Sequence, residues 1–355
     1  MEIYGEIKGI RYKPFLCRAL ERYNINALDK ALSEKANFLL KVNDKNEIAV
    51  SWWVSPKRTR SYPYARVYDT LGFTGKKITI IPVIKDEGKD GDRDFLQWDT
   101  ISLMSLLGVY VIIGYYVHAE KNLRYVNKIT NQKFDINYIK KEIQKLLSYQ
   151  SDALHWNLEQ IDRIYDIAKR AFDSYAKISK ELRVEMHSME SAQRRIEELH
   201  KGKERFMELS RELAHKAQIR ESITTQPKEY LTGIKATITI KNYLGGYYYF
   251  TCDEVEIYKD ELYLIEAKHT KTGILPSEGD IKDGLIKMIL FTNLENVTIN
   301  DLKFKTVPIL KLTTSGDFQI STLNATRLKL FNMLKKEAKI NGFKIKINET
   351  LISVE

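Results

Sequence analysis

Asp253, Glu266 and Lys268 are the residues of this chain whose types and spacing could do chemistry. They lie in the run 250–270, Phe-Thr-Cys-Asp-Glu-Val-Glu-Ile-Tyr-Lys-Asp-Glu-Leu-Tyr-Leu-Ile-Glu-Ala-Lys-His-Thr. An acidic residue opens one strand, Lys259-Asp260-Glu261 makes a polar turn, and a more apolar strand, Leu262–Ala267, ends in Glu-Ala-Lys. Side chains alternate along a strand, so Glu266 and Lys268 share a face, and a twisted hairpin brings Asp253 to the same edge. Two carboxylates and an ammonium at a strand end suit metal-assisted hydrolysis of a phosphodiester. Hard oxygen ligands hold Mg²⁺, which activates water and steadies charge on the phosphate. The lysine orients or deprotonates that water and neutralises the anion that forms.

Other parts of the chain must position or serve these residues. The 355 residues suffice for two or three domains, and 43% hydrophobic content marks a globular chain. A formal charge of +10 calls for an anionic partner, with nucleic acid first. Cys17 and Cys252 form neither a disulfide framework nor a zinc site, which fits a reducing cytoplasm. The six histidines show no zinc spacing, and no phosphate-binding glycine loop points to a nucleotide cofactor. The longest apolar run, Gly108–Val117, is too short to span a membrane, and no signal peptide is expected.

Punctuation by proline and glycine divides the chain at 1–135, 136–222 and 223–355. The first region reads as an N-terminal α/β domain, with helices at Phe15–Tyr23 and Leu28–Phe38. Strands are expected at Phe38–Val42, Glu47–Val54, Arg66–Leu71, Lys77–Ile84 and Val109–Val117, and a helix at Phe95–Leu107. The second region lacks proline and carries apolar residues at helical spacing, which predicts two or three long helices. Its polar stretch Met189–Lys216 predicts an exposed arm that dimerises, bridges domains or lies along DNA. The third region predicts a mixed sheet flanked by helices. Its elements are strands at Ala236–Ile240 and Gly246–Phe250, the hairpin, a helix at Asp280–Thr292 with Asp280 near its cap, strands at Lys303–Leu312 and Phe318–Ser321, and a helix at Asn324–Asn341 closed by Gly342. The fold class is therefore α/β (α+β).

Asp253, the intervening residues 254–265 and Glu266-Ala267-Lys268 resemble the motif of the PD-(D/E)XK nuclease superfamily, and among its members the type II restriction endonucleases. Cys252 stands where that motif usually carries proline. The resemblance covers about twenty residues. It implies a Mg²⁺-dependent, sequence-specific endonuclease acting on double-stranded DNA, with Asp253 and Glu266 as metal ligands, Lys268 as the third catalytic group, and Mn²⁺ able to substitute. It implies a homodimer too, since palindromic sites match two-fold symmetry. In that family the helix after Glu-x-Lys packs beside the site and its basic residues often reach the DNA backbone, which points to Lys282 and Lys287. Two other readings stay open: a structure-specific repair or defence nuclease, and a non-catalytic DNA-binding protein on a degenerate nuclease fold.

Two further stretches carry chemistry. Residues 55–66 interleave Lys57, Arg58, Arg60 and Arg66 with Tyr62 and Tyr64, a pattern suited to phosphates and guanines. The acidic stretch at 85–94 lacks calcium-loop spacing, yet Asp92, Asp94, Asp99 and Glu120 form a rival, second-ranked layout for a metal site.

Overall fold

The computed structural model describes residues 1–57, 62–188, 190–191, 194, 234–242, 247–271, 274–316 and 318–353. The protein is a mixed α/β chain that divides into two compact units. One unit comprises 1–19, 60–72 and 212–355; the other comprises 20–59 and 73–211. The expected boundary at 135 is not a boundary of either unit, and two N-terminal stretches belong with the C-terminal part of the chain. The cause is long-range pairing that no local pattern reveals: strand Glu2–Ile7 lies parallel to Ile234–Asn242.

The first unit is built on a nine-stranded sheet. Its strands run in the order Leu302–Lys303, Glu295–Ile299, Glu2–Ile7, Ile234–Asn242, Tyr247–Tyr258, Glu261–Thr270, Lys305–Thr314, Lys344–Ile347 and Thr350–Ile352. Three consecutive strands, from Ile234 to Thr270, form an antiparallel meander. The chain then crosses over through helix Glu278–Phe291 and returns as Lys305–Thr314, parallel to Glu261–Thr270. Ser277 caps this helix by accepting from the Asp280 N–H at 3.1 Å, so the cap stands three residues earlier than Asp280. All residues from Ile281 to Phe291 are buried, charged ones included. The apolar face expected from periodicity covers the sheet, and helix Tyr62–Thr70 packs along the same helix as well.

That second helix corrects the strand expected at Arg66–Leu71. Tyr64, Val67 and Tyr68 recur at helical spacing and are buried, and packing overrides the strand preference of tyrosine and valine. Residues 12–21, expected to begin a helix at Phe15, are irregular. Their backbone is tied to side chains instead: the Phe15 N–H donates to Glu337 at 2.8 Å, and the Tyr12 hydroxyl to the same carboxylate at 2.7 Å. The expected strand at Phe318–Ser321 is a short 3-10 turn at Ile320–Thr322. Helix Ala325–Asn341 ends at Gly342, whose φ of +75° is the left-handed conformation that glycine adopts without a Cβ penalty.

The second unit holds a five-stranded sheet in the order Arg22–Asn24, Asn37–Lys41, Glu47–Trp52, Lys77–Pro82, Val109–Gly114. Its last three strands are parallel. The expected long strand 109–117 splits into Val109–Gly114 and Tyr116–Lys121. Three helices follow, Ile136–Ser148, Ala153–Asp162 and Ile164–Leu182. The middle one closes the sheet edge with side chains. Asn157 Oδ1 accepts from Val111 N–H at 2.7 Å, Gln160 Oε1 from Ile113 N–H at 3.2 Å, and the Trp156 indole donates to Val111 O at 2.7 Å. The expected arm from Met189 to Lys216 lies almost wholly outside the described residues. Among the described residues no helix is long and apolar enough to cross a membrane.

Candidate active site

The hairpin Tyr247–Tyr258 and Glu261–Thr270 carries the acidic motif. Its ladder runs regularly from Tyr258 opposite Glu261 to Glu254 opposite Ile265. On the other side, Ile234 faces Val255 while Ala236 faces Cys252, so the middle strand carries one extra residue there. This is a β-bulge, which bends a strand and re-aims its side chains. It spans Asp253 and Glu254. Asp253 turns toward the next strand and its Oδ2 accepts from the Ala267 N–H at 2.9 Å. Glu254 goes to the opposite face, where its Oε2 pairs with Lys311 Nζ at 3.2 Å, both fully buried. The Cys252 thiol is buried within the bulge, 3.2 Å from Glu254 O and 3.3 Å from Ile265 O.

Glu266 is buried beside Asp253, and its two oxygens are held by two ammoniums. Lys268 Nζ lies 2.7 Å from Oε1 and Lys287 Nζ lies 2.6 Å from Oε2. Lys268 continues to Asp283 Oδ2 at 2.5 Å, and Lys287 also donates to Thr251 O at 3.1 Å. Asp283 and Lys287 come from helix Glu278–Phe291, one turn apart on one stripe. Gly284 sits between them. A Cβ there would stand 2.6 Å from Leu310 Cδ1, closer than a Cβ tolerates, and 3.4 Å from Lys268 Cε, an ordinary contact, so glycine allows the helix to lie this close to Leu310. The hairpin triad thus becomes a cluster of five charged groups, assembled from the meander and its crossover helix.

Burial first, and then the adjacent Glu266 carboxylate, push the Asp253 carboxyl up to about 7. The two carboxyl groups also share a hydrogen bond. Such a pair suits a hard divalent cation, which would replace the proton between two oxygen donors and keep water in the rest of its shell. Among the described residues no group of three or more His, Cys, Asp or Glu side chains is placed to hold a metal.

The remaining sequence candidates are placed as follows. Asp253, Glu266 and Lys268 come together. Lys282 does not face outward: its Nζ lies 2.5 Å from Asp69 Oδ1 and 2.5 Å from Glu278 Oε1, and its side chain is 2% exposed. Lys287 is bound to Glu266, as described. Both lysines are thereby corrected from DNA-backbone contacts to buried ion pairs, because helix Glu278–Phe291 is enclosed on more than its apolar face. Lys57 is exposed, and the Arg66 guanidinium stacks over the Tyr62 ring at 4.9 Å. Arg58 and Arg60 lie outside the described residues. The rival acidic layout does not assemble. Asp94 accepts from the Ser55 hydroxyl at 2.7 Å and Glu120 from Asn131 at 2.7 Å, Asp92 immediately precedes strand Arg93–Phe95, and Asp99 is on helix Trp98–Leu106. Sequence reasoning missed Asp283, Gly284 and Lys287 as parts of the site. The available signal was an acid and a base four residues apart around a glycine, within the first helix after the motif.

No family model, curated protein or solved structure matches this chain.

Proposed function

We propose that the chain is a Mg²⁺-dependent DNA endonuclease whose site is Asp253, Glu266 and Lys268, acting on double-stranded DNA as a sequence-specific enzyme of the restriction type. One observation carries the reading: a β-bulge turns Asp253 onto the face that holds Glu266 and Lys268, at the end of a meander followed by a crossover helix and a parallel strand. That arrangement supports the resemblance to PD-(D/E)XK nucleases on grounds independent of the motif's letters.

Asp253 and Glu266 would hold the cation. When bound, it supplies Lewis-acid polarisation of the phosphate and a lowered pKa for water. Lys268 brings an ammonium to within 2.7 Å of Glu266, where it offsets the negative charge that builds on the phosphate as the attacking oxygen bonds to phosphorus. The attacking water gives up a proton to solvent, the bond from phosphorus to the leaving sugar oxygen breaks, and that oxygen takes a proton from solvent. The hydrogen bond from Ala267 N–H keeps Asp253 from rotating away.

The formal charge of +10 fits a polyanionic substrate. Incubation of plasmid and phage DNA with the purified chain and Mg²⁺, followed by sequencing of the ends, tests the reading. Discrete bands with a shared end sequence are expected. Smearing would redirect it to a structure-specific nuclease, and intact DNA with retained binding to a non-catalytic DNA-binding protein.

A further inference from the structure

Asp283, Lys268, Glu266 and Lys287 form a line of alternating charge, with Asp253 beside Glu266. Fully ionised, three carboxylates and two ammoniums leave one net negative charge. One divalent cation turns this into one net positive charge, which a single phosphodiester anion cancels. A second divalent cation would leave a large uncompensated positive charge in a buried cluster, where charge is costly. Each Glu266 oxygen already meets an ammonium, Oε1 that of Lys268 at 2.7 Å and Oε2 that of Lys287 at 2.6 Å. The Lys287 side chain is 8% exposed, is held from behind by Thr251 O at 3.1 Å, and comes from a helix seated on the sheet.

We infer that Lys287 is the resident second cation of this site: its ammonium occupies Glu266 Oε2 in place of a second metal ion, so that each chain takes one divalent ion, at Asp253 and Glu266. This rests on the nuclease reading. Lys287 is a positioning residue in this scheme. It fixes the Glu266 carboxylate and sets the metal count, while Lys268 remains next to the reacting phosphate.

Mn²⁺ binding to the full chain without DNA, read by the electron paramagnetic resonance of free Mn²⁺, tests this apart from cleavage. The wild-type chain should hold one Mn²⁺ that Asp253→Ala removes. Lys287→Met keeps an unbranched side chain, one atom shorter, and removes its charge. It should bind Mn²⁺ about tenfold more tightly or more, since a positive charge close to the ion has gone, or bind a second Mn²⁺ per chain. Lys287→Arg should keep the single ion. A folded Lys287→Met chain with wild-type Mn²⁺ affinity and count overturns the proposal and leaves the nuclease reading standing, provided that Asp253→Ala still loses the ion. If the Met variant does not fold, the wild-type count decides: two ions lost together with Asp253 overturn the proposal. Equal Mn²⁺ binding by the wild type and Asp253→Ala overturns both.

Discussion

The Asp253 carboxylate accepts a hydrogen bond from the Ala267 N–H at 2.9 Å, so the first acid of the motif is tied to the backbone of the residue between the other two functional side chains. The bond takes over where the regular ladder stops at Glu254 opposite Ile265. It offsets the N–H that the bulge would leave unpaired and holds Asp253 next to Glu266. One extra residue in one strand thus accounts for where Asp253 stands.

Asp253→Ala should lower the cleavage rate by about 10³-fold or more while DNA binding persists, because a metal ligand is lost; Lys268→Ala should lower it as far but also cost stability, because it leaves the buried Asp283 carboxylate without its ammonium. Glu266 needs a gentler change. Glu266→Ala leaves the two ammoniums of Lys268 and Lys287 buried without their carboxylate, a loss of about 3–5 kcal/mol by comparison with broken buried pairs. Glu266→Gln should keep the fold and lose cleavage. Full activity in that variant would remove the site from consideration.

Cleavage should require Mg²⁺ or Mn²⁺ and stop in EDTA. Ca²⁺ should support DNA binding without cutting, because its larger and looser shell orients water poorly. Cleavage assays with each ion beside gel-shift measurements check this. EDTA-resistant cutting would contradict the assignment of Asp253 and Glu266 as metal ligands.

Asp253 makes stability depend on pH in a direction opposite to that of most carboxylates. Burial, then Glu266, raises its carboxyl from the ordinary 3.8 to about 7, so the folded chain keeps a proton that the unfolded chain releases. Folding is therefore weakened progressively as pH rises from about 4, and the loss is complete above about 7. Asp253→Asn cannot ionise. In EDTA its Tm should exceed that of the wild type by a margin that widens across this window and then levels, and Mg²⁺ should narrow the margin by stabilising only the wild type. Thermal melts over the pH series decide, and a margin independent of pH would show that Asp253 is not held in this way.

The hairpin and its triad were legible because alternation, a polar turn and Glu-Ala-Lys are all local features. The mixed sheet was legible for the same reason. Lys282 and Lys287 were misread because a helical pattern locates the apolar face but does not reveal what covers the others. Helix Tyr62–Thr70 packs there, and Asp69 meets Lys282. That helix was itself hidden behind tyrosines and a valine that favour strands when nothing packs on them. The place of Glu2–Ile7 in the large sheet depends on a partner more than two hundred residues away, beyond the reach of any periodicity.

Gly284→Ala should damage the site through the helix. Alanine ordinarily gains helix propensity over glycine, by about 1 kcal/mol. Here the new Cβ meets Leu310 Cδ1 at 2.6 Å, in a side chain with no exposure, so that the helix must shift on the sheet beside Lys268. Overpacking of this kind costs about 1–3 kcal/mol, so net destabilisation is expected, together with a fall in the cleavage rate as Lys268 and Asp283 separate. Chemical denaturation and single-turnover cleavage measure the two effects. A variant more stable than the wild type with an unchanged rate would show that the helix does not bear closely on Lys268.

Arg58 and Arg60 belong to the basic, tyrosine-bearing stretch that leads into helix Tyr62–Thr70. With Lys282 and Lys287 buried in ion pairs, this stretch is the strongest sequence candidate for DNA contact. Replacing both arginines with Ala should weaken DNA binding. If both meet phosphates, the salt dependence of log K should become shallower by roughly two, since each contact releases about one counterion. If one reads a guanine instead, discrimination at a single base pair should relax by about 1–3 kcal/mol with a smaller change in slope. Affinities for matched and mismatched duplexes across a salt series separate the two outcomes. Unchanged affinity and slope would clear the stretch of any role in binding, and the positive charge would then have to act elsewhere, with the segment from Lys180 to Lys216 next to be tested.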